Sequence, residues 1–137
     1  MSRPRWEDLT DVEGGSLLVR FLRPGTIKLD RPKGQRVDAS TCPSGEYEPN
    51  ETSYGASVFV ESQLAHGVVD LHAACERWRE WVFARLPVES VRALGLHVKY
   101  TPMDCELTAV AHAHASLIGM TRTIRAHFIV LLDEALA

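Results

Sequence analysis

Three short stretches constrain this chain most strongly. In Leu96-His97-Val98-Lys99-Tyr100 apolar and polar residues alternate strictly, so Leu96, Val98 and Tyr100 share one face of an extended segment. Tyr54, Ala56, Val58 and Val60 do the same within 53–61, and Phe59 on the opposite side argues that both faces receive cover. The third, Ser16-Leu17-Leu18-Val19-Arg20-Phe21-Leu22, is bounded by Gly14-Gly15 and Pro24-Gly25. The alternation of Thr26-Ile27-Lys28-Leu29 behind that Pro-Gly pair predicts a hairpin over 16–29.

Between the strands the expected elements are helical. Val68, Leu71, Cys75, Trp78, Val82 and Leu86 recur every three or four residues, which predicts one long helix from Gly67 to Leu86, ended by Pro87. Trp81 lies just off that stripe, so it either widens the buried arc or anchors a contact surface. Residues 88–94 predict one or two more turns, with Gly95 as the stop. Leu107, Val110, Ala111, His114, Leu117 and Ile118 give a helix-like stripe over 106–118, rich in small residues. Ile124, Phe128, Leu131, Leu132 and Ala135 mark the apolar face of a last helix. Its terminal Asp133-Glu134 opposes the helix dipole, at a cost of at most about 1 kcal/mol.

The expected fold class is therefore α+β: a small, mostly antiparallel or mixed sheet of about four strands packed against two or three helices. Residues 1–15 read as a flexible N-terminal segment and 16–137 as a single domain. Within it, residues 30–53 form a long polar loop in which Val37 is the only aliphatic residue larger than alanine. A chain of 137 residues buries about 68% of its unfolded surface on folding, enough for a core without disulfides or metal. The apolar share of 45% and charged share of 24% exclude a disordered chain and a coiled coil.

The net charge of −3 lacks the basic excess that phosphate neutralisation demands, so nucleic acid is not an expected partner. A strip of Arg20, Arg23, Lys28, Arg31 and Arg36 keeps that reading open as a weaker third. No apolar run is long enough to span a membrane and the first residues lack a leader's apolar stretch, so the expected setting is cytoplasmic. Three cysteines, Cys42, Cys75 and Cys105, include no Cys-x-x-Cys and fit free thiols. Cys75 is expected in the core and the other two partly exposed.

Chemistry centres on His112-Ala113-His114. On a strand the two imidazoles share a face and could grip one ion; on the expected helix they diverge by roughly 200° and could not. The plainer reading has one histidine satisfied in the core and the other exposed, with no metal and no cofactor. His66 and His72 read as surface residues, since a helical zinc site needs histidines four apart. Arg20, among apolar strand neighbours, is expected to pair with a carboxylate or to read an anion. Glycine-rich phosphate loops after a strand and Gly-x-Ser-x-Gly elbows are both missing.

Tyr100-Thr101-Pro102-Met103-Asp104, followed by Ala113-His114-Ala115-Ser116-Leu117-Ile118-Gly119, resembles the C-terminal part of certain small uncharacterised bacterial proteins. There an Asp-Pro-like turn leads to an Ala-His-Ala-x-aliphatic-x-Gly segment. Residues 19–24 and 57–60 are similar to their N-terminal half. Here the turn and the Ala-His-Ala stand further apart, and the last helix differs. The resemblance implies no activity. It implies that His114 is the motif histidine, that His112 is an extra, and that such a protein works beside a larger partner.

Two functions follow as expectations. The first is a non-enzymatic interaction module or accessory subunit, bound to a larger protein or to itself through Trp81, Phe128 and Tyr47. The alternative is a small histidine-dependent hydrolase or transferase, metal-assisted if His112 joins, with His114, Arg20 and Asp104 as the catalytic candidates. A cavity placing His114 beside a charged group favours the enzyme; a broad apolar patch around Trp81 or the last helix favours the module.

Overall fold

Leu17–Leu22 (β1) lies between Ala56–Val60 (β2) and Val82–Pro87 (β3) in a computed structural model that describes residues 3–42, 49 and 53–136. His97–Tyr100 (β4) and His114–Ile118 (β5) complete one sheet in the order β3-β1-β2-β5-β4, antiparallel throughout. Three α-helices accompany it, Val68–Ala74 (α1), Val88–Arg92 (α2) and Arg122–Ala135 (α3), with several short 3-10 turns. The α+β expectation holds, with five strands in place of about four.

Alternation along each strand sorts the residues into two layers. Leu18, Leu22, Val58, Val60, Leu86, Val98, Ala115 and Leu117 meet Phe128, Leu132 and Val91 from α3 and α2 in the larger core. On the other face Val19 and Phe59 meet Leu71 of α1, Trp78, and Val110 and Ala113 of a 3-10 turn. Strand β5 is buried at every position because it sits between β2 and β4 with cover on both sides. Gly55 leads into β2 where a Cβ would lie 2.1 Å from the Leu117 carbonyl oxygen, so only glycine permits that approach.

Several expectations are corrected. The predicted hairpin over 16–29 does not form: residues 24–26 make a 3-10 turn closed by Thr26 N–H to the Arg23 carbonyl, and Ile27 bridges to Val37. The predicted helix 67–86 stops at Ala74, and its last third is β3, six residues in continuous register with β1. Trp81-Val82-Phe83 is aromatic and β-branched, and the ladder with β1 outweighs the helical spacing of Val82 and Leu86. The predicted helix 106–118 is a 3-10 turn, Thr108–Ala113, followed by strand β5.

The segment read as a flexible N terminus lies along β4 as far as it is described. Val12 donates to the Val98 carbonyl, Tyr100 donates to the Thr10 carbonyl, and Val12 is 1% exposed. The first part of the polar loop is tied down as well. Asp133, 2% exposed, accepts from the backbone N–H groups of Gly34, Arg36 and Val37 at 2.7, 2.8 and 3.2 Å. Arg36 in turn donates to the carbonyls of Asp133 and Leu136 at the end of α3. Asp133 thus clasps the loop, and its place near the C-terminal end of the helix serves the tertiary structure.

Candidate functional site

The site begins where the sheet opens. β1 and β2 share only the pairs Leu18↔Val60 and Val19↔Phe59, after which the strands part. The Arg20 side chain enters the gap and donates to the carbonyl of Ser57 at 2.7 Å and to that of Thr41 at 2.5 Å. A cavity of about 330 Å³ lies over this opening, lined by Arg20, Arg23, Thr41, Ser57, Trp78 and Trp81 among others. Its wall is a cluster of rings: Phe21 stacks on Trp78 at 4.1 Å, with Phe59, Trp81 and Phe83 around them.

A second cavity, of about 300 Å³, adjoins the first and shares Ser57, Phe59 and Trp78 with it. Its other lining residues include Arg77, Asp104, Cys105, Glu106 and His114. Together the two form a groove with a cationic, aromatic half and a half of mixed charge containing His114.

His114, 3% exposed, is the first residue of β5 and faces Phe59 across the ladder. Its Nδ1 lies 2.9 Å from both the Thr101 carbonyl oxygen and Thr101 Oγ1. A carbonyl only accepts, so Nδ1 carries the proton. The Thr101 hydroxyl continues to Ser116 Oγ at 2.7 Å. Nε2 is then the nitrogen left toward the cavity that the ring lines. Burial lowers the His114 pKa, against the opposing Thr101 carbonyl bond and the Asp104 charge, and the ring is neutral at pH 7. Ser57 faces Ser116 in register, which puts Ser57 one diagonal step from His114 on the same face of the sheet.

The three catalytic candidates come together unequally. His114 and Asp104 line one cavity and Arg20 lines its neighbour. The buried carboxylate of Asp104 already accepts from Tyr54 N–H at 3.0 Å and pairs with Arg3 at 2.7 Å. Its role is to hold the N-terminal segment and to set the charge near His114. Of the interface candidates, Trp81 is half-buried in the aromatic wall, with the Arg23 guanidinium 5.8 Å from its ring. Phe128 is 0% exposed and lies in the larger core, which corrects its assignment to a surface. Tyr47 lies outside the described residues.

His112 and His114 do not converge. His112 lies within the 3-10 turn Thr108–Ala113, exposed, with Nε2 2.8 Å from the Gln63 carbonyl, while His114 is enclosed in the sheet. Among the described residues no group of three or more His, Cys, Asp or Glu side chains could hold a metal ion. His66 is exposed and bonded to Asp70, whereas His72 is half-buried against Phe83. Cys42 is fully buried, the reverse of its expectation, and Cys75 is only half-buried. Burial pushes the Cys105 thiol up, and Glu106 adds to it, so Cys105 stays protonated beside His114.

Comparison with protein-family models, curated proteins and solved structures finds no match for this chain. No helix among the described residues is long and apolar enough to cross a membrane. Sequence reasoning passed over Ser57, Trp78, Thr101 and Ser116 as site residues. Trp78 was absorbed into an apolar stripe, and the other three become site residues only through the register of β2, β4 and β5.

Proposed function

We propose that this chain is a small histidine-dependent hydrolase or transferase acting on a small molecule held in the groove. One observation carries the reading. His114 is a neutral imidazole whose Nδ1–H is committed to the Thr101 carbonyl while the ring lines a cavity of mixed polar and apolar character. That is the arrangement a general base requires: one nitrogen fixes tautomer and orientation, and the other is left to take a proton. In the proposed reaction Nε2 accepts a proton from a water or hydroxyl as that oxygen attacks an electrophilic carbon or phosphorus. The imidazolium then returns the proton to the departing group. Ser57, diagonal to His114 and lining both cavities, is the side chain placed to bear that hydroxyl.

A panel of chromogenic carboxylic esters, phosphomonoesters, phosphodiesters and glycosides tests the reading. The expected result is turnover of one class, with kcat about 10²-fold lower in His114→Gln and KM little changed. Rates that are the same for both proteins across the panel would remove it.

A second reading has one observation in its favour. Residues 10–12 cover the outer edge of β4, whereas no described residue pairs with the outer edge of β3. An interaction module would use that edge to accept a strand from a larger partner. Pro87 and the exposed Arg85 blunt the edge, and this supports the groove as the main site.

A further inference from the structure

The geometry points to the Arg23–Trp81 half of the groove as a recognition subsite for an anionic ligand bearing a planar ring, either a nucleotide or an aromatic carboxylate. The inference rests on the enzymatic reading in one respect: it names the class of substrate whose reacting bond would lie beside His114.

Four observations converge on this half. Among the described residues its lining holds two arginines, Arg20 and Arg23, and no acidic side chain, while the described carboxylates of the groove, Asp104 and Glu106, lie in the other half with His114. Arg23 is exposed and, among the described residues, meets no carboxylate; its described neighbour is the Trp81 ring. The wall is aromatic, with Phe21, Phe59, Trp78 and Trp81 offering ring faces and edges to a flat group. Finally, the Trp78 indole Nε1–H is buried and has no acceptor among the described residues. A buried donor without an acceptor is costly, and Trp78 stands on the wall common to both halves. A ligand carrying acceptor atoms beside its ring relieves that cost after a small shift of the indole.

A volume of about 330 Å³ suits a ligand no larger than a mononucleotide. The ring would lie along the Trp78–Trp81 wall and the anion would reach Arg23. Arg20 adds positive potential from the floor while keeping its bonds to Ser57 and Thr41.

Tryptophan fluorescence gives a direct test. The chain has three tryptophans, and Trp6 packs at a tilt against His97 and is not among the described residues lining the groove, so Trp6→Phe confines the signal to Trp78 and Trp81. In that background adenosine 5′-monophosphate and 2-naphthoate are titrated as ring-bearing anions, with adenosine and inorganic phosphate as controls lacking the acid or the ring. The expected result is saturable quenching by one of the two anions, and which one saturates separates a nucleotide from an aromatic carboxylate. Arg23→Gln should weaken it about tenfold, since a charge-assisted contact is lost, and each control should bind more weakly still. His114→Gln should leave the binding intact.

No saturation by either anion at millimolar concentration overturns the subsite, as does an Arg23→Gln affinity equal to the parent's. Turnover that depends on His114 without any ring-bearing anion bound removes the subsite alone. Intact, Arg23-dependent binding with turnover indifferent to His114→Gln removes the enzymatic reading and leaves the subsite standing.

Discussion

The Arg20 guanidinium donates to the Ser57 backbone carbonyl at 2.7 Å, at the point where the ladder between β1 and β2 ends. A side chain thus satisfies a carbonyl at the place where a neighbouring strand would otherwise do so. The same guanidinium holds the Thr41 carbonyl, and so fastens the polar loop to the rim of the groove. Arg20→Met should destabilise the chain by on the order of 3 kcal/mol, because two buried charge-assisted bonds are lost and their carbonyls are left unpaired. Urea titration of both proteins measures this. A loss well below 1 kcal/mol would mean that the gap closes without the arginine.

Gly55→Ala should be more damaging than its size suggests. The new methyl would meet the Leu117 carbonyl at 2.1 Å, and neither strand can retreat without losing the register Ala56↔Leu117. A cost of about 3 kcal/mol or more is expected. Gly25→Ala, where a Cβ meets open space, is the control and should be nearly neutral. Equal melting temperatures for the two variants would contradict the close approach.

The Asp133 clasp predicts an acid limb in the stability curve. Burial by itself would raise this carboxyl. The N–H groups of Gly34, Arg36 and Val37, with the Arg36 charge, outweigh burial and hold it below the ordinary 3.8. The unfolded chain therefore binds the proton more readily, and the clasp's contribution is complete above the unfolded pKa. It is lost as pH falls from about 5 through the lower folded value. Asp133→Asn should be less stable at pH 7 and should lose stability less steeply below pH 5. Parallel curves for the two proteins would exclude the clasp as a source of acid sensitivity.

His114 contributes a second slope at higher pH. Its folded pKa lies below the ordinary 6.5 because burial disfavours the imidazolium. The unfolded chain takes up the proton first, so stability is full above about pH 7 and declines as pH drops through 6.5 toward the folded value. His114→Gln should flatten this part of the curve. Guanidinium titrations at half-unit intervals between pH 5 and 8 would show it, and a slope unchanged in the variant would place the effect on another histidine.

The sequence made the central strands legible and misplaced their partners. Alternation in β2 and β4 is visible because Ala56, Val58 and Val60 share one face of β2 with Ser57 on the other, and Val98 and Tyr100 share one face of β4 with Lys99 on the other. β5 has no such signature, since His114 and Ser116 are as buried as Ala115 and Leu117 and its small residues fit a helix equally well. β3 was hidden by coincidence: Val82 and Leu86 are four apart, which satisfies a helix, while Ala84 between them satisfies a strand. The ladder with β1 decided the matter, and that contact is non-local. His114 and Arg20 were recognisable as chemically unusual residues. The groove that relates them was not, because it depends on two strands parting after two pairs.

The Asp133–Arg36 clasp joins residues 97 apart in the chain. During synthesis, residues 34–37 therefore leave the ribosome long before the carboxylate that orders them exists. Until α3 emerges and docks, the segment carrying Thr41 lacks this anchor, and the rim of the groove sets after the strands that precede α3 in the chain. A chain truncated before residue 133 would keep all five strands and present an unfinished binding surface.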